Sequence, residues 1–198
     1  MDVPELLVSA SLLVPEESAT ENDLTVSDIW DYLAHDEWEI ALGLLEELGD
    51  GDPLPLGFWE KLAGAAEQLG LERSADWCHW RCSELRNGVI RADLTLLPAA
   101  EARRTTPIPG GGVLRPMWDI GHLSPAGERA VSIARLWVED LPSLEPGGRA
   151  TVRLVPLTPS HWTHIEPGRR ITMHEDRSVA GEAVVLEVRP PAAVAPTG

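Results

Sequence analysis

The hydrophobic period of this chain changes once, at Gly88, and that change limits the fold more than any other feature. From Thr25 to Asn87 apolar residues recur at three- and four-residue steps; beyond Gly88 they fall in short runs rich in β-branched residues, separated by Gly/Pro turns. The first period lays an apolar stripe along a helix, and the second lays an apolar face on a strand. The expected fold class is therefore α+β: a small N-terminal helical bundle over 24–88, then an antiparallel β-domain over 89–189. Residues 1–23 are expected as a tail with at most one short docking strand or helical turn, and 190–198 as a Pro/Ala-rich tail.

In the helical part, Ser27 or Asp28 can cap a first helix, DIWDYLAH. Asp36 can cap a second, with Glu39 at the capping-box spacing, a stripe of Trp38, Ala41, Leu44, Leu45 and Leu48, and Gly49 as its stop. FWEKLAGAAEQL, stopped by Gly70, and ERSADWCHWRCSELRN, stopped by Gly88, complete the set. Five of the eight tryptophans (Trp30, Trp38, Trp59, Trp77, Trp80) fall here. So small a domain needs them as core; an exposed one would be a partner-binding anchor.

Charge divides the chain at the same place. The formal net charge is −16, and residues 1–99 hold 21 of the 32 acidic residues but only five of the 16 basic ones. The remaining half is balanced, so the acidic excess belongs to the N-terminal part. A surface of that sign does not grip a phosphate backbone. Asp28, Asp31, Asp36, Glu37, Glu39, Glu46 and Glu47 crowd the first two helices and are expected on an outer face. Glu37, Glu39, Glu46 and Glu47 are the candidate protein-binding residues there; a merely solvated face is the alternative. No apolar run approaches a membrane span, the N-terminus MDVPELL lacks a basic region, and only Cys78 and Cys82 occur. A reducing, cytoplasmic setting is expected.

In the second half, EPGRRITMHEDRSVAGEAVVLEV reads as two strands joined by a tight polar turn. Before it stand Arg104-Thr105-Thr106-Pro107-Ile108, then Gly110-Gly111-Gly112, then Arg115-Pro116-Met117-Trp118, then Leu144-Glu145-Pro146-Gly147-Gly148. In this order the motifs resemble the third, C-terminal domain of elongation factor Tu. Gly168, Arg170, Ile171, Met173, Glu175, Gly181, Val184 and Val185 stand at matching positions of its last hairpin, while His174 replaces an arginine and Thr105 a histidine. The resemblance covers about residues 89–189 and implies a six-stranded antiparallel β-barrel of the translation-factor type. It also implies that Arg104, Thr105, Thr106, Arg115 and Gly181 would inherit contacts to tRNA or structured RNA, for which arginine and hydroxyl donors suit phosphates and 2′-hydroxyls. Pairing of Arg104 and Arg115 with barrel carboxylates is the competing reading.

The GTPase machinery of that family is not in this sequence. A P-loop needs a Gly-x4-Gly-Lys-[Ser/Thr] run, and the only lysine, Lys61, lies in a helical segment. Neither GTP nor another cofactor is expected. Cys78 and Cys82 share a helix face and read as packing rather than metal ligands. His161 and His164 lack an evident third ligand, and Ser160, His161 and Asp176 have no nucleophile elbow around them. The sequence therefore points away from an enzyme. It points to an adaptor or immunity-type protein holding a protein partner, with a translation-associated RNA-binding protein as the alternative.

Overall fold

Asp2 and Glu5 each accept a hydrogen bond from the other's backbone N–H, a capping box that starts α1 (Val3–Ser11). The computed structural model describes residues 1–20, 22–51, 53–102, 104–123, 127, 129–176 and 178–192. It divides into two compact units, Met1–Cys82 and Ser83–Gly198.

In the first unit α1 packs against α3 (Trp38–Gly51) and α4 (Leu56–Leu69), burying Leu6, Leu7 and Ala10. The segment expected as a tail is thus a full helix of the bundle. The cap of α2 (Val26–Ala34) falls earlier than expected, at Thr25 rather than Ser27 or Asp28. The Thr25 amide and hydroxyl both donate to the Asp28 carboxylate at 2.8 Å. Glu37, not Asp36, caps α3, because its carbonyl accepts the first helical bond from Ala41. Asp36 lies in the preceding turn at φ 61°, a conformation aspartate tolerates better than most residues.

Gly49 does not stop α3, which continues to Gly51. A Cβ at Gly49 would stand 2.5 Å from the Trp59 ring, so close packing on α4 explains this glycine. Gly70 does end α4, at φ 71°, with Gly70 N–H on Glu67 O and Leu71 N–H on Ala66 O. The fifth helix, α5 (Glu72–Asn87), ends before Gly88 at φ 80°. Ile29, Leu42, Leu45, Phe58, Trp59, Leu62, Cys78 and Trp80 fill the core, with Phe58 set edge-on to Trp59 at 5.1 Å.

The second unit holds β1 (Val89–Leu96), β2 (Ile108–Pro109), β3 (Met117–Leu123), β4 (Arg129–Val138), β5 (Ser143–Leu144), β6 (Arg149–Pro156), β7 (Arg170–Glu175) and β8 (Ser178–Arg189). Six of these close into an antiparallel barrel in the order β1-β6-β4-β3-β7-β8, with β8 returning to β1. The fold class expected from the sequence, helices followed by a six-stranded antiparallel barrel, is the one observed. Alternate residues of each strand point inward: Ile90, Ala92, Leu94 and Leu96 from β1, Trp118 and Ile120 from β3, Ala134, Leu136 and Val138 from β4. A short 3-10 turn, η1 (Pro159–Trp162), adds Trp162 to this core, and β2 and β5 pair as a separate ribbon through Ile108 and Leu144. Closure removes the free sheet edges on which β-domains aggregate. Among the described residues no helix is long and apolar enough to cross a membrane. Residues 193–198 of the expected C-terminal tail lie outside the described residues.

Candidate functional site

The acidic candidates of the helical unit separate into two environments. Glu37 and Glu39 are exposed at the start of α3, and Glu47 is half-buried one turn from its end. Glu46, expected on the same outer face, instead turns inward toward α5. There Ser74 Oγ and Cys78 Sγ donate to its two oxygens at 3.3 and 3.4 Å. Burial pushes the Glu46 carboxyl above its ordinary value, against these two bonds. Burial, followed by the neighbouring Glu46 charge, also pushes the Cys78 thiol upward. Cys78 and Cys82 are both buried, so their shared face is a packed one. Such a thiol is poorly suited to nucleophilic work, which needs a lowered pKa.

Little positive charge offsets this surface. Lys61 is the first lysine or arginine in the chain, and Met1–Cys82 contains only Arg73 and Arg81 besides. Arg81 is itself 6% exposed. Its guanidinium lies 4.8 Å from the Trp59 ring centre and 5.5 Å from that of Trp77, and reaches Gly49 O at 3.3 Å and Asp50 at 3.6 Å. One of three cations is therefore consumed inside the bundle.

In the barrel the candidate RNA residues stand in different environments. Arg104 is engaged: Nε donates to Glu175 at 2.6 Å, and Nη1 donates to the carbonyls of Thr106 and Pro107 at 3.1 and 3.3 Å. This fork holds the 104–107 loop against the end of β7, which is the carboxylate pairing weighed from the sequence. Thr105, Thr106 and Arg115 are exposed, and Arg115 makes no hydrogen bond or ion pair to a described residue. Gly181 is buried where β8 crosses β1; a Cβ there would meet Thr95 O at 2.7 Å. Its role is close strand packing, with no surface to offer a ligand. Arg103, one of the basic residues near this loop, lies outside the described residues.

A ladder of alternating charges covers part of the barrel wall, its partners up to 69 residues apart in the chain. Arg153 is 8% exposed and clamps Glu84, 6% exposed, through two bonds of 2.5 and 2.7 Å. It also donates to Glu139 at 3.1 Å. Arg91 takes both oxygens of Glu139 at 2.8 Å and approaches Glu187 at 3.6 Å. Burial alone would raise the Glu139 carboxyl, but Arg91 and Arg153 outweigh it and the net shift is downward. The bond to Glu139 is the chief reason that Arg91 holds its proton more firmly than a free arginine. Bidentate pairs of this kind are rigid and are fully committed to one another. They are built for structure.

The two candidate histidines, His161 and His164, are likewise occupied. His161 stacks on His122 with ring centres 4.5 Å apart and planes at 14°, and its Nδ1 lies 3.4 Å from Ser132 Oγ. His164 Nε2 bonds Ile120 O at 2.9 Å. These contacts fasten the η1 turn to β3 and β4; they bring no triad together around His161. Among the described residues no group of three or more His, Cys, Asp or Glu side chains is placed to hold a metal ion. Compared with known proteins, the chain matches no family model and no curated sequence.

Proposed function

We propose that this chain is a non-catalytic binding protein, an adaptor or immunity-type protein whose helical unit captures a cationic protein partner. The observation that carries this reading is the near-absence of positive charge on that unit. Its first sixty residues contain no lysine or arginine, and one of its three cations is buried. A one-signed surface repels its own parts and costs stability, and it raises the capture rate of an oppositely charged partner. Glu37, Glu39 and Glu47 are the acidic residues assigned to this surface, and Glu46 is withdrawn from it.

The barrel is read as a relative of the third domain of elongation factor Tu, in a sequence that carries no P-loop motif. Support comes from the closed six-stranded antiparallel architecture and from the positions of the motifs. The Arg104–Pro107 loop leads into β2, Arg115-Pro116 leads into β3, and Pro146-Gly147 turns β5 into β6 with Gly147 at φ 79°. RNA binding through Thr105, Thr106 and Arg115 is a second reading, favoured by the exposure of those three residues. Against it stand the engagement of Arg104 and the burial of Gly181.

Fluorescence anisotropy with two labelled probes separates the readings. A synthetic lysine-rich amphipathic peptide should bind at low salt, and bulk tRNA should not. Capture of tRNA at about 0.15 M salt, lost on Arg115→Ala, would replace the adaptor reading with the RNA one.

A further inference from the structure

Of the five tryptophans of the helical unit, Trp59 and Trp80 are buried, Trp38 and Trp77 are half-buried, and Trp30 alone is exposed, yet the chain fixes it in place. Trp30, on α2, is 50% exposed, yet its indole N–H donates to Ser11 Oγ at 3.0 Å. Ser11 is 1% exposed, and its own hydroxyl donates to Val8 O at 2.9 Å. The polar edge of the indole is thus tethered while half of its apolar surface faces water. Ring rotation is restrained without the ring being covered. An ordinary core tryptophan has the reverse arrangement, as Trp59 and Trp80 show at 0% exposure.

Beside Trp30 lies a cleft of about 530 Å³ lined by Ser11, Leu12, Val14, Glu16, Val26 and Trp30, with Thr25 and Ser27 completing it. Leu12 is 66% exposed, and Leu13 and Val8 nearby are 38% and 43% exposed. Leu12, Val14, Val26 and Trp30 give this concave surface its apolar part, and among the described residues its charged lining residue is Glu16. Residues 1–60, which supply the whole cleft, include no lysine or arginine. An aromatic held rigid in a cleft is a preorganised anchor, because little side-chain freedom is lost on contact.

We infer that this cleft is the docking groove for an amphipathic cationic segment of a protein partner, an apolar side chain seated on Trp30 and Leu12 with its lysines or arginines facing Glu16 and the surrounding acidic surface. Charge complementarity selects this occupant. A second copy of the chain would bring a second uncompensated acidic unit to the same face, and RNA would bring phosphates. The inference rests on the adaptor reading and adds to it the location of the groove and the apolar component of recognition.

The test uses the full chain and two synthetic peptides of equal length, one amphipathic with leucine and lysine, the other of lysine alone. The leucine–lysine peptide should bind more tightly than the all-lysine peptide. Trp30→Ser and Leu12→Ser should each weaken its binding about tenfold or more, while Trp30→Phe should restore most of it. Both serine variants replace exposed residues, and unchanged melting curves check that they fold. Equal binding of the two peptides, indifferent to Trp30→Ser, would overturn the groove and leave the acidic adaptor reading standing. Binding of neither peptide to the wild type at low salt would remove both. A concentration-dependent dimer in sedimentation, abolished by Trp30→Ser, would assign the cleft to a second copy and overturn the proposed partner.

Discussion

Removing the Glu84 carboxylate takes two short bonds from a buried cation, and the size of the penalty can be worked out from its surroundings. Glu84→Ala deletes two of the short bonds to Arg153, leaving a guanidinium that is 8% exposed with Glu139 beside it at 3.1 Å. Breaking one side of a buried pair costs about 3–5 kcal/mol. The surviving Glu139 bond places the expected loss at the lower end, about 3 kcal/mol. Arg153→Met instead takes the same two bonds from the buried Glu84 carboxylate and should cost a similar amount, while Glu139 keeps its two bonds to Arg91. Replacing both residues by methionine removes both charges together, so the double variant should lose less than the two singles added, with a coupling of about 2–3 kcal/mol. Hydrogen exchange read on β6 peptides gives the assay, since a loss of about 3 kcal/mol accelerates exchange by roughly two orders of magnitude. Single losses below about 1 kcal/mol, or losses that simply add, would refute the buried-pair reasoning.

Three further outcomes follow from individual side chains. Glu46 has a raised folded-state pKa, so the folded form holds more protons than the unfolded one above the ordinary glutamate value of 4.5. Its contribution to stability is therefore lost as pH rises through that window; thermal melts of Glu46→Gln should show a flatter pH dependence, and a variant as pH-sensitive as wild type would contradict its burial. Gly181→Ala forces a methyl to within 2.7 Å of the Thr95 carbonyl and should lower stability by about 1–3 kcal/mol in denaturant unfolding, whereas a contact glycine would tolerate the change. Arg104→Ala should speed amide exchange over 104–109 while leaving any tRNA retention on filters unaltered; a drop in retention would return Arg104 to an RNA surface.

The sequence made the α+β order and the final hairpin legible because apolar period is a local property. Ala41, Leu45 and Leu48 fall on one face of α3, and Ile171 and Met173 on one face of β7, whatever lies beyond them. What it concealed was set across the chain. Glu46 sits at a polar helix position, and only the course of α5 brings Ser74 and Cys78 over it, 28 and 32 residues away. Gly49 carries the usual mark of a helix stop, but the ring of Trp59 is what requires it. Arg104 could be read as an RNA contact or an ion-pair partner, and its partner Glu175 is 71 residues distant. The tether from Trp30 to Ser11 spans 19 residues and begins in a segment that reads as a tail. Each of these depends on tertiary approach, which period and spacing do not encode.

The claim that the acidic helical surface captures a cationic partner is tested most directly by association rate against ionic strength. Stopped-flow mixing with the leucine–lysine peptide should give fast association at low salt that slows steeply above about 0.15 M, where the Debye length is near 8 Å. Changing Glu37, Glu39 and Glu47 together to glutamine should reduce both the rate and its salt dependence while leaving the melting temperature nearly unchanged, because the substituted side chains lie at the surface or only half within it. An association rate indifferent to salt and to this triple substitution would contradict the claim.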